Sequence, residues 1–404
     1  MAKQYRVSWI SSEGLRRAKS ALAVALSLTI LLGGMGVATW KAYGWYQAWQ
    51  QRDDYIGDGD ADVQVVVSPG QGWGRVADTL MAADVIKDPS LFEDEALTLA
   101  PNGPLQWGTW NLKTHLPAAS AAKMMTDLDT NGKPKNLLVV KLTIKEGMRL
   151  ADMAATMETQ LGTTQAEFDA AVTALAADPA SFHLNAAATA NAANLAGILD
   201  PWRAAYSFGP AAGSIAEGYL FPATYDIFPP INSKVTDVFT MMADQFNKVA
   251  TDLNLEAGAA ALGLTPQQVV TIASILEVEV LPADQPKAAR VFLNRFAANM
   301  PLQMNSTVDY GLGRSGLAKL STADAQKDTP YSTYVHAGLP PTPIGNPSRA
   351  ALEAALNPAE GPWLYWVTVD LRTGETVFTD SVDEFNAASE RFHQWCAANP
   401  DVCK

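Results

Sequence analysis

A chain of 404 residues suggests two or three folded units, at roughly 150 residues per domain. With 48% hydrophobic and 18% charged residues, it has the composition of a globular protein and not of a disordered one. The formal net charge of −13 argues against nucleic acid as a partner, because a phosphate backbone calls for a surface rich in Lys and Arg.

The chain opens with a basic tail, residues 1–19, in which Lys3, Arg6, Arg16, Arg17 and Lys19 are opposed only by Glu13. Residues 20–40 then run for 21 positions without a charge. As a helix this run would be roughly 31 Å long, matching a hydrocarbon core of about 30 Å. It predicts a single transmembrane helix whose N-terminus is cytoplasmic by the positive-inside rule, with Trp40, Tyr43, Trp45, Tyr46 and Trp49 as an interfacial belt. A cleaved signal peptide is the competing reading, but the run is long for one and no small-residue cleavage site closes it. The expected localisation is the cell membrane, single-pass, with the remainder extracytoplasmic.

Residues 41–62, with Gly57, Asp58, Gly59 and Asp60, read as a stalk. The β-branched run Val63–Val67 predicts a strand, Ser68-Pro69-Gly70 a turn, and residues 75–83 a helix. A similar unit follows, with a strand over 138–144, Gly147, and a helix over 150–157. Both helices contain Ala-Asp, as Ala77-Asp78 and Ala151-Asp152. Residues 63–160 are read either as a small membrane-proximal α/β module of a positioning or binding kind, or as two β-α pieces of one α+β domain. Residues 162–182 predict a helix capped by Thr163 or Thr164. The Ala/Asn-rich stretch 183–215 reads as a loop or insertion within a connecting segment, 161–216. Cys396 and Cys403 could close a small loop in an oxidising compartment, or stand as free thiols.

Several chemistries have no carrier. The four histidines, His115, His183, His336 and His393, show no zinc spacing, and there is neither a P-loop nor a nucleophile elbow. Gly311–Gly316 matches G-x-G-x-x-G, but no βαβ context surrounds it, so it reads as a plain Gly-rich loop. No metal and no cofactor is expected. Carboxylates, hydroxyls and amides remain, a set that suffices for cleaving glycosidic bonds.

Thr265-Pro266-Gln267-Gln268 marks a helix start: Thr265 can cap, Pro266 suits the first helical position, and Gln268 completes a capping box. The helix is apolar nearly all round, so it should be buried, and Leu281-Pro282 stops it. Glu277 and Glu279 sit at its end. Two residues apart means about 200° around the axis, so only one of them can face a given cleft. A carboxyl group among apolar neighbours holds its proton more tightly, as a general acid requires. The alternative is a structural Glu paired with Arg290 or Arg295. Periodicity does not choose between Glu277 and Glu279.

Several segments now occur in a telling order: Glu217–Tyr225 (EGYLFPATY), Ala273–Glu279 (ASILEVE), Val291–Arg295 (VFLNR), Pro301–Gln303, Ser306–Gly313, Tyr331–Tyr334 (YSTY), Gly338–Pro341, Asn346-Pro347 and Leu364–Val367. Together they resemble the endolytic murein transglycosylase family, the YceG-like proteins. The resemblance implies an α+β fold: the N-terminal single transmembrane helix, a LysM-like membrane-proximal region over 63–160, and a larger mixed α/β catalytic domain over 217–404. It implies a lyase that cuts the β-1,4 bond between N-acetylmuramic acid and N-acetylglucosamine in nascent peptidoglycan, leaving 1,6-anhydro ends. By the family motif it places the catalytic acid on Glu277, with Glu217, Gln303, Asn305 and Tyr334 as sugar-binding candidates. Glu217 could instead be a structural hydrogen-bond acceptor and Tyr334 a packing residue. Peptidoglycan strands, and peptidoglycan synthases at the membrane, are the implied partners. The chain departs from the family pattern at Asn305, Ser306, Ser332, Val278 and Phe385. A non-catalytic wall-binding scaffold is the alternative of a different class. A hydrolase acting on the same bond would need a second carboxylate, for which Asp309 is the candidate.

Overall fold

The computed structural model describes residues 33–44, 53–100, 106–190, 192–314 and 320–403. Most of the predicted span 20–40 therefore lies outside the described residues. Residues 33–44 form a helix, α1, whose side chains are exposed, including Met35, Val37 and Trp40. Among the described residues no single helix is long and apolar enough to cross a membrane.

Contacts divide the chain into two compact units, Met1–Leu137 and Leu138–Lys404. In the first, β1 (Asp62–Val67) pairs antiparallel with β2 (Gly108–Lys113), Val65 opposite Trp110, and β3 (Leu137–Leu138) completes the sheet in the order β1-β2-β3. Helices α2 (Trp73–Ala82), α3 (Pro89–Leu99) and α4 (Ala118–Thr126) accompany it. Alternation along β1 turns Val65 and Val67 inward, where they join Val76, Leu80, Phe92 and Trp110 in the core. The expected stalk is held to this unit in its later part. Asp54 accepts hydrogen bonds from the Ala118 amide at 3.0 and 3.2 Å, Tyr55 donates to Asp84 at 2.9 Å, and the Asp60 amide donates to the Thr114 carbonyl at 3.0 Å.

The second unit comprises β4 (Val140–Thr143), α5 (Leu150–Leu161), α6 (Gln165–Ala177), α7 (Ala186–Thr189) and α8 (Ala192–Tyr206), then β5 (Thr224–Ile227) and α9 (Val235–Asp252). There follow α10 (Leu255–Ala261), α11 (Pro266–Glu279), α12 (Gln285–Ala297), α13 (Asn305–Gly311), α14 (Thr322–Ala325) and α15 (Arg349–Leu356). A two-stranded pair, β6 (Tyr365–Asp370) and β7 (Glu375–Thr379), and α16 (Val382–Ala398) end the chain. The Cys396–Cys403 disulfide is formed and closes the turn after α16.

Two differences from the sequence reading have physical causes. The strand expected over 138–144 is two strands: β3 belongs to the first sheet, whereas β4 pairs antiparallel with β5 in the second unit, Val140 opposite Ile227. The two strand–helix segments at 63–83 and 138–157 thus fall in different units. The segment 183–215 carries α7 and α8, with Leu195, Leu199 and Trp202 buried and the Trp202 indole donating to the Gly311 carbonyl at 2.9 Å. Its many Ala residues blur the apolar period, although Ala is the best helix former.

The core of the second unit is built around α11, where Val269 to Leu276 are all buried. Its start is as read: Thr265 accepts from the Gln268 amide, Gln268 reaches back to the Thr265 amide, and Pro266 occupies the first turn. Together α10 and α11 have the length and apolarity of a membrane span, but they bend by 92° and the apolar side chains of α11 face protein. The axis of α11 delivers its last turn, with Glu277 and Glu279, to the edge of this core.

Candidate active site

The two glutamates of α11 part company, as two residues on opposite sides of a helix must. Glu277 Oε2 accepts from the Ser348 amide at 2.9 Å and from the Ser348 hydroxyl at 2.6 Å. Ser348 is the N-cap of α15, its own oxygen accepting from the Ala351 amide at 3.1 Å. An added Cβ on Gly147 would stand 3.4 Å from Glu277 Cγ, so the stem of Glu277 lies against the Gly147 loop.

Glu279 opens instead onto a cleft of about 550 Å³, which Val278 also lines and Glu277 does not. Its Oε1 accepts from the Ser306 amide at 3.2 Å. Burial pushes its carboxyl pKa up, Asp309 nearby adds to the rise, and the hydrogen bonds from Ser306 oppose it. Glu279 therefore holds a proton more tightly than an ordinary glutamate.

The floor of the cleft comes from the loop before α13. Gln303 lines it in a left-handed backbone conformation (φ 54°), its amide donating to the Thr333 carbonyl at 3.1 Å. Asn305 Oδ1 accepts from the Tyr334 hydroxyl at 2.8 Å, and both residues line the cleft. Asp309 does so too, but Arg314 already holds it at 3.1 Å. Of the predicted sugar-binding residues, Gln303, Asn305 and Tyr334 are thus brought together around Glu279.

One wall is aromatic. Tyr365 and Trp366 on β6 and Phe385 and Phe392 on α16 all face the cleft, with Tyr365 and Phe385 ring centroids 5.1 Å apart. Phe385, one of the departures from the family pattern, therefore contributes an apolar face. Arg295 of α12 fixes this wall to the floor. Its Nε donates to the Leu364 carbonyl at 2.7 Å, and its Nη1 donates to the carbonyls of Pro301 and Leu302. The preceding Asn294 donates to the carbonyls of Gly361 and Trp363 at 3.0 and 2.8 Å. The Arg295 alternative of a structural partner for the α11 glutamates does not hold, since its donors go to backbone oxygens.

Glu217 corrects the expectation of a sugar contact. It is fully buried and does not line the cleft. Its Oε1 accepts from the Leu150 amide at 2.9 Å and its Oε2 from the Tyr310 hydroxyl at 2.8 Å. Asn346 lies beside it, accepting from the amides of Gly218 and Leu220 at 3.0 and 3.1 Å and donating to the Met148 carbonyl at 2.9 Å. Glu217 and Asn346 together tie the 147–150 loop to the core, so the structural alternative is the one realised. Burial raises the Glu217 pKa to about 7, against the lowering effect of the Leu150 amide, the Tyr310 hydroxyl and Arg149.

Among the described residues, no group of three or more His, Cys, Asp or Glu is placed to hold a metal ion. What the arrangement offers is the Glu279 carboxyl, which holds its proton tightly, beside hydrogen-bonding groups and flat aromatic faces, with Asp309 on the floor also raised by burial against the pull of Arg314. Such a combination suits a sugar polymer, which presents hydroxyls at its rim and C–H faces to stack.

The sequence profile of the YceG-like family matches residues 65–391. The chain belongs to the YceG-like family. This YceG-like chain is 36% identical over 177 residues to the endolytic murein transglycosylase of Bacillus subtilis, a stretch covering 44% of the chain and 48% of that relative. It is 29% identical over 332 residues to the endolytic murein transglycosylase of Streptococcus pneumoniae serotype 2, covering 80% of the chain and 57% of that relative. The chain thus spans about half the length of the relatives it matches. A crystal structure of a YceG-like protein from Listeria monocytogenes aligns with 24% identity and a TM-score of 0.49, over 81% of this chain and 99% of that one.

Sequence reasoning about this YceG-like chain missed Arg149 and Asp152, which line the cleft from the start of α5, and the cleft-lining aromatics Trp366 and Phe392. They lie far from α11 in sequence, and no local pattern ties them to it. The Leu364–Val367 segment was visible as a motif, but its contribution to a wall was not.

Proposed function

We propose that this chain is a membrane-anchored lytic transglycosylase that cuts the bond between N-acetylmuramic acid and N-acetylglucosamine in peptidoglycan strands, with Glu279 as the acid. The observation that carries the proposal is Glu279 itself: a partly buried carboxyl, raised in pKa, facing a cleft with an aromatic wall and a floor of Gln303, Asn305 and Tyr334. The names of the two relatives supply the substrate class. Motif correspondence alone puts the acid on Glu277. We move it to Glu279 because the Glu277 carboxylate is engaged by Ser348 and Glu277 is not among the residues that line the cleft.

In this scheme the Glu279 carboxyl gives its proton to the glycosidic oxygen as the C1–O bond of the muramyl unit breaks. The resulting carboxylate then takes the proton of the C6 hydroxyl of the same muramyl unit, whose oxygen closes on C1. The bond broken and the bond formed balance, no water is consumed, and the glutamic acid is regenerated. Only one carboxyl is needed because the nucleophile belongs to the substrate. Gln303, Asn305 and Tyr334 would orient the sugars and the β6–α16 aromatics would stack against them.

The anchor belongs to the same reading: residues 20–40 as the span, with the N-terminus cytoplasmic and the two units outside. The exposed apolar side chains of Met35, Val37 and Trp40 on α1 support it, since such a helix seeks an apolar surrounding. A LysM-like role for the membrane-proximal segment and an encounter with peptidoglycan synthases at the membrane complete the picture. The test is digestion of purified peptidoglycan by the full chain in detergent, with the products weighed by mass spectrometry. We expect 1,6-anhydro ends that are lost in Glu279→Gln and persist in Glu277→Gln. Reducing ends would make the protein a hydrolase, no cleavage a scaffold, and selective loss in Glu277→Gln would return the acid to that residue.

A further inference from the structure

One cation in the cleft has, among the described residues, no hydrogen-bonded or ion-paired partner, although Asp309 and the buried Glu217 attract it from a distance. Arg149, the residue before α5, lines the cleft with Asp152, Glu279 and Asp309. Its guanidinium lies 5.1 Å from the centroid of the Tyr310 ring. Among the described residues it makes no hydrogen bond, and no carboxylate stands within ion-pair distance of it. The other arginine of the cleft differs in kind, because the donors of Arg295 already serve backbone carbonyls.

The Arg149 guanidinium is nonetheless held in place. Tyr310, over whose ring it lies, is buried and fixed at its hydroxyl, which donates to Glu217 at 2.8 Å and accepts from the Gly213 amide at 2.9 Å. The backbone on either side is fixed as well: the Leu150 amide is held by Glu217, and the Met148 carbonyl accepts from the Asn346 side chain. A guanidinium over an aromatic face is attracted through the ring's π-cloud, an attraction that uses none of its N–H donors on acceptor oxygens. A preorganised planar fork of donors is the geometry that binds a carboxylate in bidentate fashion.

We infer that Arg149 is an anion-recognition site within the cleft, taking a carboxylate carried by the muramyl unit of the substrate. The inference rests on the glycan-cleaving reading above and extends it from the sugar backbone to its acidic substituent. Peptidoglycan offers such a carboxylate from two sources. One is the stem peptide. The other is the lactyl group of muramic acid, which becomes a free carboxylate once the peptide has been removed. Polymers of N-acetylglucosamine alone carry neither, so the site would separate a murein strand from chitin. Asp152, on the same wall, would disfavour an anion placed away from the guanidinium.

The test measures binding to the full chain in detergent carrying Glu279→Gln, so that the ligand is not consumed. Three ligands of equal sugar length are compared: a glycan with stem peptides, the same glycan stripped by an amidase, and a chitooligosaccharide. We expect the background protein to prefer a carboxylate-bearing glycan over the chitooligosaccharide. Adding Arg149→Gln should weaken that glycan by about tenfold to a hundredfold, the range of a charge-assisted pair, and leave the chitooligosaccharide unchanged. Loss confined to the peptide-bearing glycan identifies the stem peptide, and loss confined to the stripped glycan identifies the lactyl group. Arg149→Lys, which keeps the charge but not the fork, should fall between the two. Equal weakening of all three ligands, or none, overturns the site while leaving the glycan reading intact. A background protein that binds no glycan overturns both. The melting temperature of each variant separates lost recognition from lost folding.

Discussion

The carboxylate of Glu277 sits on the N-cap of another helix, taking both the amide and the hydroxyl of Ser348 on a single oxygen. Two residues further along the same helix, Glu279 has one backbone donor and an open side. Near-neighbours in sequence, the two carboxyl groups have different surroundings: one is fastened to the start of α15, and the other opens onto the cleft.

This division predicts opposite responses to substitution. Glu277→Ala should lower stability by about 1–3 kcal/mol, the cost of losing hydrogen bonds to a charged acceptor. Glu277→Gln should lose much less, since its amide oxygen can accept from Ser348 in the same place. Glu279→Gln should leave stability nearly unchanged or slightly raised and lower cleavage by roughly 10²-fold or more. Denaturant titration alongside product analysis checks all three, and a stable but inactive Glu277→Ala would contradict the fastening role.

Glu217 predicts a pH dependence of stability. Its carboxyl is raised from 4.5 to about 7 in the folded protein, so the native state keeps a proton that the unfolded chain releases at lower pH. The native state then binds more protons, and stability falls as pH rises. The contribution is full below about 4.5, declines from there to about 7, and is flat above. Over that window it amounts to at most roughly 3 kcal/mol. Glu217→Gln should flatten this component, so the difference in unfolding free energy between about pH 5 and about pH 8 should be smaller in the variant than in the parent. An unchanged difference would remove Glu217 as its source.

Gly345 is placed where only a hydrogen fits. A Cβ there would meet the Gly147 carbonyl oxygen at 2.6 Å, and both partners are backbone. The two strands of chain are also joined by hydrogen bonds from the Gly147 amide to the Asn346 carbonyl and from the Asn346 amide to the Met148 carbonyl. Gly345→Ala should therefore push the 147–149 loop outward, at about 1–3 kcal/mol of stability. Because that loop carries Arg149, glycan binding should weaken in the same variant. A calorimetric scan and a binding isotherm on one preparation test both effects.

Tyr334 is half exposed at the cleft, with its hydroxyl on Asn305. Tyr334→Phe should leave the melting temperature close to that of the parent. Its effect should appear as a KM raised roughly three- to tenfold at near-constant kcat, as expected for a contact made equally in the ground state and the transition state. A fall in kcat at constant KM would instead place the hydroxyl in the chemical step.

The parts of this architecture that were legible in the sequence are those with local causes. The capping box at Thr265 carries its signal within four residues, and of the two caps offered at Thr163 and Thr164 the helix takes Thr164. The alternation in β1 and the arrest of α11 before Leu281-Pro282 are of the same kind. Periodicity did not distinguish the surroundings of Glu277 and Glu279, because those depend on what lies across from each face. Ser348 and Ser306 are what lies there, and they are 71 and 27 residues away from their partners. Glu217 shows the converse: its motif drew attention to it, but only burial distinguishes a residue that builds the cleft from one that touches what the cleft holds.

Arg295 joins parts of the site that are otherwise remote, with its fork on the carbonyl of Leu364 at the entry to β6 and on the carbonyls of Pro301 and Leu302 beneath the floor. Both sides of the cleft thus hang from one rivet, anchored in α12. A motion that widened the groove enough to admit a bulkier polymer would have to break those bonds together, leaving a nearly buried cation without partners. The gauge of the groove is accordingly set from within the protein, and any polymer that entered would have to adapt to it.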